Sequence, residues 1–263
     1  IPAVKGETPK MFRTAAMYGR EMNYTSAPAV ESVVKFYRDG GFNSIHGHFN
    51  PALAKALKDN GVVRYIQPYF LCNGYRIGNT PKPPEALFRL VDGSPWTRPN
   101  EKICPVEVYR QGDYYRKEVV AMLEKILVVD DIADQIMPNW EPYYLDFKGC
   151  FCPRCKEEFI KYAEGKISAD DINARWPGEI INSYRADWIK FRSWQHGRLV
   201  VQLEKTINEI GKKAGKDSHF IPEIAWSKML PERDSNFAQY DIADYILELP
   251  WLEPWGPYIF HRF

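Results

Sequence analysis

The feature that most constrains the fold is an alternation. Short apolar runs of strand length trade places along the chain with stretches whose apolar residues recur at helical spacing. Residues 11–18 form the first run. Residues 27–39 follow with Val30, Val33, Val34 and Tyr37 on one helical face, stopped by Gly40 and Gly41. Residues 42–49 read as strand 2, 51–60 as a short helix closed by Gly61, and 62–71 as strand 3. Farther on, 114–128 is helical, 133–138 is strand 4 and 153–164 is a helix. Ser168 with Asp171 reads as a capping box opening a helix to Trp176. Residues 183–214 form one long amphipathic helix ended by Gly215, and the charges along 190–213 mark its solvated face. Residues 219–226 and 242–249 are strands 5 and 6.

Strands separated by helices require parallel pairing with right-handed crossovers, so the chain is α/β: a barrel or a doubly wound sheet. No Gly-rich phosphate loop follows any strand, which counts against a doubly wound nucleotide binder. Residues 73–105 are rich in Pro, Gly and Asn. A connection of that length inside a compact domain is functional or mobile, and it is placed on the active-site face. The expected fold is a single-domain (β/α)8 TIM barrel over residues 1–263 with about six strands present, incomplete at its C-terminus.

Composition removes several function classes. The 35 basic and 34 acidic residues nearly cancel and form no basic stripe, so no nucleic-acid partner is expected. No apolar run approaches the ~18–20 residues that span a bilayer, and no charged start leads into a signal core, so a soluble chain is expected. It opens on Ile1, which indicates a processed form or a piece of a longer chain; the compartment stays open, with secretion or a periplasmic location after processing compatible. The 8 Trp, 16 Tyr and 14 Phe lie largely in loop-like segments, which suits a surface for sugar rings as well as core filling.

Chemistry concentrates in residues 137–155. Glu141 follows a short apolar run, at the strand end where α/β barrels keep catalytic groups. Cys150, Cys152 and Cys155 then offer three thiolates at a helix start, with Cys104 as the expected fourth ligand of a closed structural zinc site. The alternatives are disulfides, for which such close neighbours are poorly spaced, and reduced buried cysteines. Cys72, inside strand 3, reads as a core residue. His46 and His48, two apart on a strand, resemble the metal-binding pair of metal-dependent hydrolases, although such enzymes need further histidines that His196, His219 and His261 are badly placed to supply.

Ile103-Cys-Pro, then Tyr115-Arg-Lys-Glu-Val, a strand ending in Glu141, and Cys-x-Cys-Pro-x-Cys-x-x-x-Phe159 together resemble the β-galactosidases of glycoside hydrolase family 42. Residues 171–176 resemble that family's Leu-Asn-x-x-Trp-Gly segment, and Asp187-Trp-Ile-Lys-Phe-Arg-Ser193 its Asp-Trp-x-x-Phe-x-Ser helix. The resemblance covers roughly residues 88–220. It implies a clan A barrel that cleaves β-glycosidic bonds with retention, Glu141 being the general acid/base at the end of strand 4. It further implies a β-galactoside or other β-linked oligosaccharide as partner, and a homo-oligomer. The family has Asn directly before its acid, whereas here Trp140 separates Asn139 from Glu141. The nucleophile belongs to strand 7, which is expected beyond Phe263; Glu223 and Glu248 end strands 5 and 6 instead. Arg13, Tyr69, Asn139, Trp226 and Trp251 are the candidate substrate contacts. A non-catalytic sugar-binding barrel is the alternative reading.

Overall fold

The structure is a computed structural model, and it describes residues 14–16, 26–68, 70–71, 77–79, 81–97, 101–138, 149–221, 223–225 and 253–255. Strands β1 (Thr14–Ala16), β2 (Ser44–Gly47), β3 (Val63–Ile66) and β4 (Gln135–Ile136) form one parallel sheet whose spatial order is the chain order. His46 is in register with Ala16 on one side and Tyr65 on the other, and Tyr65 with Gln135. A parallel bridge from Ile136 to Phe220 continues the order toward β5 (Glu223–Ala225), which pairs in parallel with β6 (Glu253–Trp255). Strands β1 to β4, parallel and in chain order with helices between them, wind as one part of a β/α barrel wall does.

The helices begin where local chemistry starts them. Helix α1 (Ala27–Asp39) has Pro28 in its first turn, buries Val30 and Val34, and hands over to Gly40. Helix α2 (Pro51–Asp59) opens on Asn50, whose side chain accepts the Leu53 N–H at 2.9 Å, a cap worth about 1 kcal/mol. Gly61 follows at φ +71°, a conformation that costs glycine nothing. The inner faces of both helices pack with Ile45 and Phe49 in one apolar cluster.

The long connection differs from its expected form. Among its described residues Ile77, Ala86, Leu87, Phe88 and Ile103 are buried, and antiparallel bridges join Leu87 to Ile103 and Arg89 to Pro95. Apolar residues scattered among the prolines give it a core of its own. It leads into α3 (Pro105–Tyr109), a short helix without a clear sequence signal. A helical run follows, with π-wound segments Tyr115–Val120 and Lys125–Val129 flanking the α turn α4 (Ala121–Glu124).

After β4 come α5 (Pro153–Tyr162) and α6 (Ala169–Arg175), the latter capped by Ser168 Oγ on the Asp171 N–H at 3.2 Å. The expected single helix over 183–214 is two. A short α7 (Ile180–Ser183) ends at Tyr184, whose φ of −133° breaks the helix, and α8 (Arg185–Lys213) continues. Its charges are solvated at Lys190, Arg198, Lys205 and Lys212, but Arg192 and Glu204 are buried. The Glu204 carboxylate accepts the Phe220 N–H at 2.7 Å and lies 2.8 Å from His219 Nδ1, tying the approach to β5 onto α8. Strand 6 was expected at 242–249, which lies outside the described residues; the strand paired with β5 is Glu253–Trp255. Among the described residues no helix is long and apolar enough to cross a membrane.

Candidate metal centre

Segment 86–89 is the frame of the site. Ala86 accepts the Cys104 N–H at 2.8 Å, and the Phe88 N–H reaches the Lys102 carbonyl at 2.9 Å. On its other side, Arg89 accepts the Phe151 N–H at 2.9 Å and donates its own N–H to Cys150 Sγ at 3.2 Å. Two distant parts of the chain are thereby held against one short segment. Cys104 then stands just before α3, and Cys152 just before α5 with Cys155 in the first turn. Pro105 and Pro153 begin those helices, where the missing N–H costs nothing.

Cys104, Cys150, Cys152 and Cys155 are reduced and buried, and their sulfur atoms lie within 4.8 Å of one another. Cys104 Sγ is 3.5 Å from Cys152 Sγ and 3.6 Å from Cys155 Sγ. A disulfide would need about 2.05 Å. A metal ion with four thiolates at about 2.3 Å in a tetrahedron separates the sulfurs by about 3.8 Å. The observed spacing fits such an ion, and the fourth cysteine of the cluster able to hold it is Cys104. Among the described residues this is the sole group of three or more His, Cys, Asp or Glu side chains able to share an ion.

The electrostatics agree. Burial pushes the Cys104 and Cys155 thiols up, whereas hydrogen bonds from Cys104, Cys150 and Cys155 pull the Cys152 thiol down. A bound cation would let all four sulfurs ionise in so apolar a place. Arg154 lies beside the cluster in an ion pair with Glu107, whose carboxylate also accepts the Tyr114 N–H. Gln195 Nε2, from α8, lies 3.7 Å from Cys155 Sγ. Sequence reasoning missed Gln195, although its position between Phe191 and Leu199 on the buried stripe of α8 was a signal: a polar residue there needs a polar partner.

The remaining candidates are distributed differently. His46 is buried with Nε2 3.1 Å from the Met137 carbonyl oxygen, and His48 is half-buried. A carbonyl only accepts, so that nitrogen carries a proton and is not a metal ligand in this arrangement. His219 is engaged with Glu204 and Asp217, and His196 is buried in α8. Arg13, Tyr69, Cys72, Asn139, Glu141, Trp226, Glu248 and Trp251 lie outside the described residues. Among the described aromatics, Phe151, Phe159, Trp188 and Phe191 fill a core, with Phe151 stacked on Trp188 at 5.0 Å.

No family model and no curated protein sequence matches the chain. Solved structures do. The cold-adapted β-galactosidase from Rahnella sp. R3 superposes with a TM-score of 0.57 at 13% identity, over 94% of this chain and 40% of that one. The catalytic domain of β-amylase from Paenibacillus polymyxa gives a TM-score of 0.53 at 12% identity, over 89% of this chain and 73% of that one. The chain thus spans less than half the length of the β-galactosidase it matches. At such identities the likeness is one of fold: the chain has a glycosidase-like fold with a buried four-cysteine cluster able to hold a metal ion.

Proposed function

We propose that the protein is a retaining β-glycosidase of the family 42 type, with Glu141 as general acid/base and a structural zinc held by Cys104, Cys150, Cys152 and Cys155. The observation that carries this reading is the run of β4. The Met137 N–H bonds the Ile66 carbonyl at 2.9 Å, so the described part of this strand runs on to Met137, four positions before Glu141 in sequence and toward the strand end where barrels keep catalytic groups. The fold likeness to a β-galactosidase and a β-amylase supports the substrate class.

In this reading Glu141 protonates the departing glycosidic oxygen and then takes a proton from the water that releases the sugar. A carboxylate ~5–5.5 Å away attacks the anomeric carbon. Arg13, Tyr69, Asn139, Trp226 and Trp251 contact the sugar, the two tryptophans by stacking. Zinc held by the four thiolates would play a structural part, fastening the frame around 86–89 to α5.

The test is turnover of aryl β-glycosides, galactoside first, by the full-length natural protein and its Glu141→Gln variant. Cleavage is expected, reduced about 10²–10⁴-fold in the variant. No cleavage by folded, metal-loaded protein would overturn the enzyme reading and leave a sugar-binding barrel.

A further inference from the structure

Gln195 is fully buried, and each of its contacts has a fixed direction. Arg192 Nη1 donates to its Oε1. A guanidinium has no acceptor, so the amide oxygen faces Arg192 and the NH2 group faces the other way. There Nε2 lies 3.0 Å from Tyr109 Oη and 3.7 Å from Cys155 Sγ. Tyr109 in turn donates to Glu158 Oε2 at 3.1 Å, and Arg110 holds the other oxygen of that carboxylate. With its proton committed to Glu158, Tyr109 accepts one N–H of Gln195, and the second is left for the sulfur.

Arg192 is the odd member of the network. It is 1% exposed, forms no ion pair among the described residues, and leaves Nε and Nη2 without a hydrogen-bond partner. Its guanidinium lies over the rings of Phe88 and Trp188, at 5.5 and 5.6 Å. Burying such a charge is costly unless an opposite charge is near. A divalent ion with four thiolates carries a net charge of about −2, and Gln195 is the bridge between that charge and Arg192.

We propose that Gln195, aligned by the buried Arg192, is a dedicated hydrogen-bond donor to the Cys155 thiolate and sets the metal affinity of the four-cysteine centre. This rests on reading the four cysteines as a divalent metal site. Donors of this kind orient a ligand and spread its charge, and their loss typically weakens binding about 10–100-fold.

The experiment is chelator competition for Co²⁺ and Zn²⁺, followed by the thiolate-to-cobalt absorption bands, on the whole protein. Gln195→Leu and Arg192→Met are compared with Gln202→Leu, a polar-to-apolar change on the same helix away from the sulfurs. Gln195→Leu is expected to bind both metals about 10–100-fold more weakly with a shifted charge-transfer band, Arg192→Met to follow in the same direction, and Gln202→Leu to stay within about twofold. Gln195→Leu affinities within about twofold of wild type would overturn the proposal. Wild-type protein that binds no metal would overturn the metal reading itself, and the proposal with it. Should Gln195→Leu not fold, the wild type loaded with ¹¹³Cd decides. Coupling of the metal to the Gln195 side-chain amide protons across the hydrogen bond supports the donor role, and its absence overturns it.

Discussion

His46 Nε2 donates to the Met137 carbonyl across the intervening strand β3, tying the end of β2 to the end of β4. Strands lie about 4.8 Å apart, so two strands with one between them are about 9.6 Å apart in a flat sheet. The contact therefore belongs to a curved sheet and braces the strand that leads to Glu141. His46→Ala leaves a buried carbonyl without this donor and should cost about 2–3 kcal/mol in urea denaturation. A loss under about 0.5 kcal/mol would show that the brace is not needed.

Acid should destabilise the protein before its exposed carboxylates are protonated. Burial is the main cause that lowers the pKa of His46, of His48 and of His196, the last to about 3 with help from the Arg192 charge. Each is held neutral in the folded state, so the unfolded chain binds more protons below about pH 6.5, and stability falls with pH at up to about 1.4 kcal/mol per unit for each group. For Asp131, burial opposes ionisation, but hydrogen bonds from Lys216, Lys58 and Arg64 win and hold it below the usual carboxylate range. That stability too is present at neutral pH and lost in acid. The urea midpoint should drop between pH 7 and pH 4.5, and His196→Gln should flatten the slope. A midpoint that is level or rising toward acid would contradict the assignment.

Arg64 is wholly buried on β3 and rests on Asp134, with Nε to Oδ2 at 2.9 Å and Nη2 to Oδ1 at 2.6 Å, and on Asp131 at 3.0 Å. Removing Asp134 takes away the two-point partner of a guanidinium cut off from water and leaves Asp131 as its one carboxylate among the described residues. Asp134→Ala is expected to cost about 3 kcal/mol, more than the about 0.5 kcal/mol of breaking the exposed pair Lys55–Asp59. Equal effects of the two changes in thermal or urea unfolding would refute this ranking.

The helices and the cysteine cluster were legible in the sequence because their signals are local. Helix α1 has a proline at its start, valines at helical spacing and two glycines at its end, and it runs over the expected residues. The three clustered cysteines sit at a helix start for the same reason. What could not be read depends on distant residues meeting. The connection 73–105 looked like a loop because its bridging partners, such as Leu87 and Ile103, are sixteen apart, and Arg192 and Glu204 looked solvated because the groups facing them come from other elements. The break at Tyr184 falls inside an unbroken helical pattern.

The frame around the four clustered cysteines should be intolerant of small additions. A Cβ at Gly149 would lie 2.1 Å from Phe88 Cε1 and 2.8 Å from the Arg89 carbonyl, the residue that also serves Cys150. Gly149→Ala should cost about 1–3 kcal/mol and lower the metal content found by elemental analysis. Phe88→Leu in the same chain should recover part of the loss. Full metal occupancy in the single variant would contradict this packing.

Elemental analysis of the wild type should give one equivalent of metal per chain, lost in Cys152→Ser, and strong chelators should lower the melting temperature. Metal uptake should release protons, because the Cys104 and Cys155 thiols are pushed up by burial and must ionise to bind. A second equivalent that disappears with His46→Ala would instead favour a metal-dependent hydrolase.

The most direct test of the central claim is the anomer released first. Full-length protein is mixed with an aryl β-galactoside, or whichever aryl β-glycoside it cleaves fastest, and the anomeric proton is followed by NMR before mutarotation intervenes. A retaining mechanism with Glu141 as acid/base predicts the β-anomer first, and no such signal from Glu141→Gln on the same timescale. An α-anomer appearing first, or no anomeric product from folded and metal-loaded protein, would contradict it.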